Sequence, residues 1–169
     1  MLSPTFAMAK PSKKENLEPG MTLIATNRRA SFDYELGERF EAGLVLLGSE
    51  VKSLRSRAVG ISEAWASIVQ GEAYIEGMRI SILDHAAYGH TQERRSRKLL
   101  LHRKEILALE KAIDRGGMTV VATRLYFRNG KAKIELAIAR GKRKTDKREA
   151  IKDRDAAREA QILMREKNR

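Results

Sequence analysis

Lys52 and Arg55 lie three residues apart in the run Glu50-Val51-Lys52-Ser53-Leu54-Arg55, where Val51 and Leu54 recur at helical spacing. On a short helix that spacing puts both cations on one face, where they can span phosphates. Arginine grips phosphate through paired N–H donors, whereas lysine acts as a point charge. Comparable clusters recur at Arg28-Arg29, Arg94 to Lys98, Arg103-Lys104 and Arg140 to Lys144. Any one of them fits an ordinary solvated face; their joint excess points to a polyanion. Asn27, beside Arg28-Arg29, carries an amide that can donate and accept toward a base edge or a ribose, or close a turn.

Bond-making chemistry has no comparable constellation. The sequence holds no G-x-S-x-G elbow, no G-x-x-x-x-G-K phosphate loop and no H-E-x-x-H zinc helix. Of the histidines, His85 and His90 fall in a polar stretch and His102 precedes a helical pattern, without a carboxylate at ligand spacing, so no metal site is expected. Asp33, Glu35, Glu38, Glu41 and Glu50 fall in or near strand-like runs. A pair of them holding magnesium would suit a small nuclease, but surface alternation and ion pairing explain them more simply. No cofactor is expected.

The chain has 169 residues, with 34 Lys and Arg against 22 Asp and Glu, a formal net charge of +12. A charge of that size makes nucleic acid the first candidate partner, ahead of a membrane surface or an acidic protein. The absence of cysteine excludes a disulfide framework and thiolate metal sites, and fits a reducing cytoplasm. No apolar run approaches the roughly 20 residues of a membrane span. Met1 to Lys10 lacks the pattern of a secretory leader, and residues 1–20 are expected to form a disordered extension.

These side chains must be positioned by a body of residues 21–140. Strands are expected at Thr22 to Thr26, around Phe32, Tyr34 and Leu36, at Glu38 to Leu47, at Ile61 to Val69 and at Ala73 to Ile80. Gly43 marks a bulge or a close approach. Ser49 is the expected cap of the short helix. Residues 84–98 read as a cationic loop. Leu100 to Arg115 is helical, with Ile106, Leu109 and Ile113 on one face and Gly116-Gly117 as its stop. Met118 to Phe127 and Lys131 to Ala139 flank Asn129-Gly130, the dipeptide of a type I′ hairpin. Mainly β structure with accessory helices suggests a small antiparallel barrel of the oligonucleotide-binding kind, with an open α+β sandwich as the alternative. Trp65, the only tryptophan, is expected in the core. Aromatic residues make up 5% of the chain, too few to stack many single-stranded bases, which favours recognition of a folded RNA.

Composition shifts at Gly141. Residues 141–169 contain no aromatic side chain, and their apolar residues form no continuous stripe. Asp146 is the expected helix cap, with Glu149 as its reciprocal partner. A helix so polar all round is marginal in isolation, so this tail is expected to be mobile when free and helical when bound.

Five runs occur in one order: Asn27-Arg28-Arg29-Ala30, Phe40-Glu41-Ala42-Gly43, Glu50 to Arg55, Arg97-Lys98-Leu99-Leu100-Leu101, and Gly141-Lys142-Arg143-Lys144 followed by Asp146-Lys147-Arg148. Together they resemble the small protein B family, the tmRNA-binding (SsrA-binding) proteins of trans-translation, over roughly residues 21–169. The resemblance implies a monomeric, non-catalytic adaptor. Its barrel would bind the tRNA-like domain of tmRNA and stand where a codon–anticodon stem normally sits on a stalled ribosome. Its tail would enter the vacant message channel of the small subunit as a helix, and elongation factor Tu would deliver the alanyl-tmRNA. Carried over by position, Asn27, Arg28 and Glu41 belong to the tmRNA-binding face, with Arg29, Lys52, Arg55, Arg97 and Lys98 as neighbours on charge. Gly141, Lys142, Arg143, Lys144, Asp146, Lys147 and Arg148 form the decoding-centre junction, and Leu163 and Met164 seat the tail in the channel. Thr145 stands where family members often carry histidine or an aromatic, Ala156 where some carry an aromatic, and Trp65 where tyrosine is usual.

Overall fold

The computed structural model describes residues 17–82 and 92–167. Its elements run β1 (Met21–Thr26), α1 (Ala30–Asp33), β2 (Tyr34–Leu44), α2 (Gly48–Arg55), β3 (Val59–Gly60), β4 (Trp65–Val69), β5 (Glu72–Glu76), β6 (Arg79–Ile80), β7 (Arg97–Leu100), α3 (Arg103–Asp114), β8 (Met118–Arg128), β9 (Lys131–Gly141) and α4 (Lys144–Lys167).

Strand pairing closes on itself. The order β8-β4-β5-β7-β2-β9 is completed by a direct β9–β8 pairing, giving a six-stranded antiparallel ring, with β1 added along β8. The barrel, rather than an open sandwich, is the form adopted. Its longest seam, β8–β9, is set by the hairpin. Asn129 and Gly130 have φ of 50° and 76°, the two positive values that a type I′ turn demands. Gly43 fulfils the close-approach reading, since a Cβ there would stand 3.2 Å from Leu100 Cβ on the neighbouring β7.

Alternate residues of these strands face inward. Ile75, Leu99, Val120, Leu125, Ile134 and Leu136 are fully buried, and Leu54 of α2 and Leu109 of α3 join the same core. Burying such side chains stabilises by about 1.5–3 kcal/mol each, enough to hold a body of this size without disulfides.

Several local expectations change. Phe32 belongs to α1, and β2 begins only at Tyr34, because the chain must turn between β1 and β2. Ser49 lies inside α2; Glu50 instead accepts a hydrogen bond from the Leu47 N–H at 2.9 Å and closes the helix start. The expected Ile61 to Val69 strand is ordered as β only from Trp65. Ala73 to Ile80 splits into β5 and β6 at Gly77, whose φ is +70°. Within the expected 84–98 loop, Arg97 and Lys98 are part of β7, while residues 83–91, with His85 and His90, lie outside the described residues. Leu100 also belongs to β7, so α3 starts at Arg103. Trp65 is 47% exposed on the outer wall of the barrel rather than in the core. Beside it stand Glu76, its cross-strand partner, and the outer-face residues Tyr74 and Lys98.

Candidate RNA-binding surface and tail

The hairpin register builds the first cluster. Glu41 of β2 and Glu135 of β9 are paired residues, and Glu135 also pairs with Arg124 of β8. Arg124, Tyr126 and Arg128 alternate with Leu125 and Phe127, so they share the outer face. Irregularities between Leu36 and Arg39 in β2 and between Ala122 and Arg124 in β8 shift the register on either side of Glu135. Its carboxylate consequently receives Arg39 at 2.8 Å, Arg124 at 2.6 Å and the Thr123 hydroxyl at 2.7 Å. Burial alone would raise the Glu135 pKa, but the hydrogen bonds from Arg124 and Thr123 and the arginine charges outweigh it and hold the group below the usual carboxylate range.

Glu41 is the second centre of this cluster. It accepts a hydrogen bond from the Tyr126 hydroxyl and forms an ion pair with Arg128 at 2.7 Å, while Arg128 reaches Glu18 at 2.8 Å. The Arg128 guanidinium also lies 5.6 Å from the centroid of the Tyr126 ring. Burial, then the bond to Glu41, pushes the Tyr126 phenol far above its ordinary pKa. These residues line a cavity of about 300 Å³ on the outer face. With charges of both signs fixed in place, the cluster can accept from a 2′-hydroxyl or a base amine and present arginine N–H groups to phosphate. Its carboxylates are committed to arginine and tyrosine rather than arranged for a nuclease metal. Among the described residues, no group of three or more His, Cys, Asp or Glu is placed to hold a metal ion.

Asn27 does not face outward. Its amide donates to the Ala122 carbonyl at 2.9 Å and to the Ile61 carbonyl at 3.5 Å, and its oxygen accepts from the Ala30 N–H at 3.2 Å. It therefore closes the turn and positions its neighbours, the second role its amide allowed. Arg28 and Arg29 are exposed on the turn it fixes; Arg28 lines a groove of about 620 Å³ along β1 with Arg57, and Arg29 reaches Asp33 at 3.6 Å. Lys52 and Arg55 are exposed on α2, as their spacing required.

Arg97 and Lys98, adjacent in sequence, point to opposite sides of β7. Arg97, expected at the surface from its charge, is 1% exposed and serves as a structural cation inside the fold. It donates to Glu50 at 2.9 Å and to the carbonyls of Met78, Arg95 and Glu93. Burial would raise the Glu50 pKa, yet Arg95, the Leu47 N–H and Arg97 together leave it depressed. Lys98 is exposed and bonded to Glu72 at 2.8 Å.

The junction begins one step inside the barrel, since Gly141 is the last residue of β9 and pairs with Tyr34. Asp146 is not the cap itself but the third helical residue, and its carboxylate accepts from the Arg143 N–H at 3.2 Å. From Lys144 to Lys167 the tail is one helix with no buried residue, where the sequence suggested helix only on a target. Leu163 and Met164 are exposed near its end, at 65% and 70%. No described helix is long and apolar enough to cross a membrane.

Sequence reasoning found Glu41 only by resemblance and missed Arg39, Arg124, Tyr126, Arg128 and Glu135. The signal was present in the alternating polar residues of Thr123-Arg124-Leu125-Tyr126-Phe127-Arg128, inside a run otherwise read as a plain hairpin strand.

Comparison with known proteins gives one consistent result. The family model described as SmpB protein matches residues 24–166. The SsrA-binding protein of Sorangium cellulosum (strain So ce56) is 51% identical over 151 residues, covering 89% of this chain and 93% of the relative. The SsrA-binding protein of Solidesulfovibrio magneticus (strain ATCC 700980 / DSM 13731 / RS-1) is 46% identical over 146 residues, covering 84% and 95%. Among solved structures, a chain from "tmRNA-SmpB: a journey to the center of the bacterial ribosome" matches with a TM-score of 0.61 and 41% identity, over 75% of this chain and 93% of that one.

Proposed function

The chain belongs to the SmpB protein family, and on that premise we propose that it is a tmRNA-binding adaptor of trans-translation. The barrel binds the tRNA-like domain of tmRNA. The tail enters the vacant message channel of a stalled ribosome, so that alanyl-tmRNA delivered by elongation factor Tu is accepted without a codon. The protein acts in the cytoplasm as a monomer and performs no bond chemistry itself. The likeness to a chain of the solved tmRNA-SmpB structure supports this reading.

The observation that carries it is the division of the molecule. A closed barrel bears a fixed polar cluster around Glu41, and a basic helix of 24 residues leaves it without burying a side chain. Such a helix has little to stabilise it except a partner, and its charge suits an RNA-walled channel. The tmRNA face takes in Glu41 with Tyr126 and Arg128, the exposed Arg28 and Arg29, Lys52 and Arg55, with Lys98 at its margin. Asn27 and Arg97 shape it from below. Gly141 to Lys144 and Asp146 to Arg148 meet the decoding centre, and Leu163 and Met164 seat the helix.

Ending the chain at Arg143 keeps the last β2–β9 pair and removes α4. That variant retains tmRNA affinity nearly in full and loses peptide tagging on stalled ribosomes. Equal loss of both activities would make the tail a general RNA clamp and end the division of labour.

A further inference from the structure

The tail helix leaves the barrel alongside α1, and its root is fastened there. Gly141 pairs with Tyr34, the Lys142 N–H donates to the Asp33 carbonyl at 3.0 Å, and Lys142 Nζ donates to the Ser31 carbonyl at 2.8 Å. These bonds occupy backbone carbonyls that a helix as short as α1 leaves open at its end. They fix where the tail starts but not where it points.

We propose that α1 is a seat that sets the direction of the tail, with Phe32 and Asp33 as its positioning side chains. Past the root, two side-chain contacts join α4 to α1. Lys147 Nζ lies 3.4 Å from Asp33, and the Arg154 guanidinium lies 5.4 Å from the centroid of the Phe32 ring. Lys147 and Arg154 are seven residues apart, two turns along one helix face. Arg29 approaches the same Asp33 carboxylate at 3.6 Å and steadies it beneath the tail. Because no residue of α4 is buried, core packing does not orient the helix.

Leverage makes this seat matter. A helix of 24 residues is about 36 Å long, so a tilt of roughly 20° at its root moves the far end by about 12 Å. That is a helix diameter, enough to miss a channel entrance. The inference rests on the reading of the tail as the channel-entering segment, and its test separates the two.

Nitroxide labels at Ser62→Cys on the barrel and Glu159→Cys on the tail report the seat in the full-length chain bound to tmRNA. The unmodified seat gives a narrow distance distribution. Phe32→Ala broadens it, and so does Arg154→Ala, which removes the same contact from the exposed side and leaves the barrel untouched. Phe32→Tyr keeps the ring and keeps the narrow distribution. Tagging on stalled ribosomes falls at least fivefold in the two broadened variants, while their tmRNA affinity stays within twofold. An unchanged distribution in both alanine variants, or full tagging by both, overturns the seat. Failure of the unsubstituted chain to support tagging overturns the adaptor reading instead.

Discussion

The Arg97 guanidinium and the Glu50 carboxylate meet at 2.9 Å with side-chain exposures of 0% and 3%, so a charge pair lies inside the end of the barrel. Arg95 adds bonds of 2.9 Å and 2.7 Å to the two oxygens of the same carboxylate. One acid thereby ties α2 to β7 and to the segment leading into it. The exposed cations of α2, Lys52 and Arg55, are held at their place on the surface by this buried joint.

Glu50→Ala strands the Arg97 charge in a site that water does not reach. Breaking a buried pair from one side costs about 3–5 kcal/mol, whereas an exposed, solvent-screened pair such as Lys98–Glu72 contributes little. Urea unfolding should show the first as a large loss and Glu72→Gln as a small one. Arg97→Lys should also destabilise, because an ammonium cannot fill the four directions that the guanidinium serves. Equal stability of Glu50→Ala and the parent chain would refute the buried-joint account.

Acid sensitivity follows from the same carboxylates. Glu50 and Glu135 both have depressed native pKa values, so the unfolded chain binds more protons than the folded one as pH falls. Their contribution is fully present above the unfolded glutamate value of roughly 4.3. It declines as pH drops below that value and is gone beneath their native values. Unfolding free energy measured from pH 7 to pH 3 should therefore fall more steeply for the parent chain than for Glu135→Gln, which has no titrating group at that position.

Asn27 and Arg28, neighbours in sequence, should fail differently. Asn27→Ala takes the amide donor from the buried Ala122 carbonyl and leaves the Ala30 N–H only the Asn27 backbone carbonyl at 3.3 Å, at a cost of roughly 1–3 kcal/mol of stability. Arg28→Ala, on the exposed side of the turn, should change stability by no more than about 0.5 kcal/mol. It should weaken tmRNA binding by about 1–3 kcal/mol if it reads a base, or reduce the salt slope by about 1 across all RNAs if it meets phosphate. Loss of stability in Arg28→Ala, or none in Asn27→Ala, would exchange the two roles.

The contrast shows what a linear reading can reach. The hairpin at Asn129-Gly130, the helix stop at Gly116-Gly117, the close approach at Gly43 and the compositional break at Gly141 are local properties, and each was legible. Burial of a polar residue is not local. Arg97 and Lys98 differ only in strand phase, and phase is set by a pairing with β5 that no short window contains. Trp65 shares a strand-like run with Ile61 and Val69, which suggests core packing, yet the residue before it, Ala64, and the one after, Ala66, are the buried ones. The Glu41 cluster draws on β2, β8 and β9 together, and two register irregularities aim its arginines, so its members were visible as polar residues but not as a site.

Tyr126 gives that site a spectroscopic handle. It is 2% exposed, donates to Glu41, and is held protonated far above the ordinary phenol range, chiefly by burial and then by the carboxylate. Its folded pKa is raised, so the stability it contributes is full below the unfolded value of roughly 10 and is lost as pH rises beyond it. The chain has four tyrosines, and absorbance near 295 nm counts those that ionise. Between neutrality and the onset of alkaline unfolding, the parent chain and Tyr126→Phe should give superimposable titrations, because Tyr126 contributes no tyrosinate while folded. Removing its hydroxyl leaves Glu41 oriented by Arg128 alone; loss of that hydrogen bond to a carboxylate should destabilise the fold by about 1.5–3 kcal/mol and weaken tmRNA binding by loosening Glu41. An extra tyrosinate in the parent titration before unfolding would show that the phenol is open to water, and with it the fixed geometry around Glu41 would be lost as the basis of the tmRNA face.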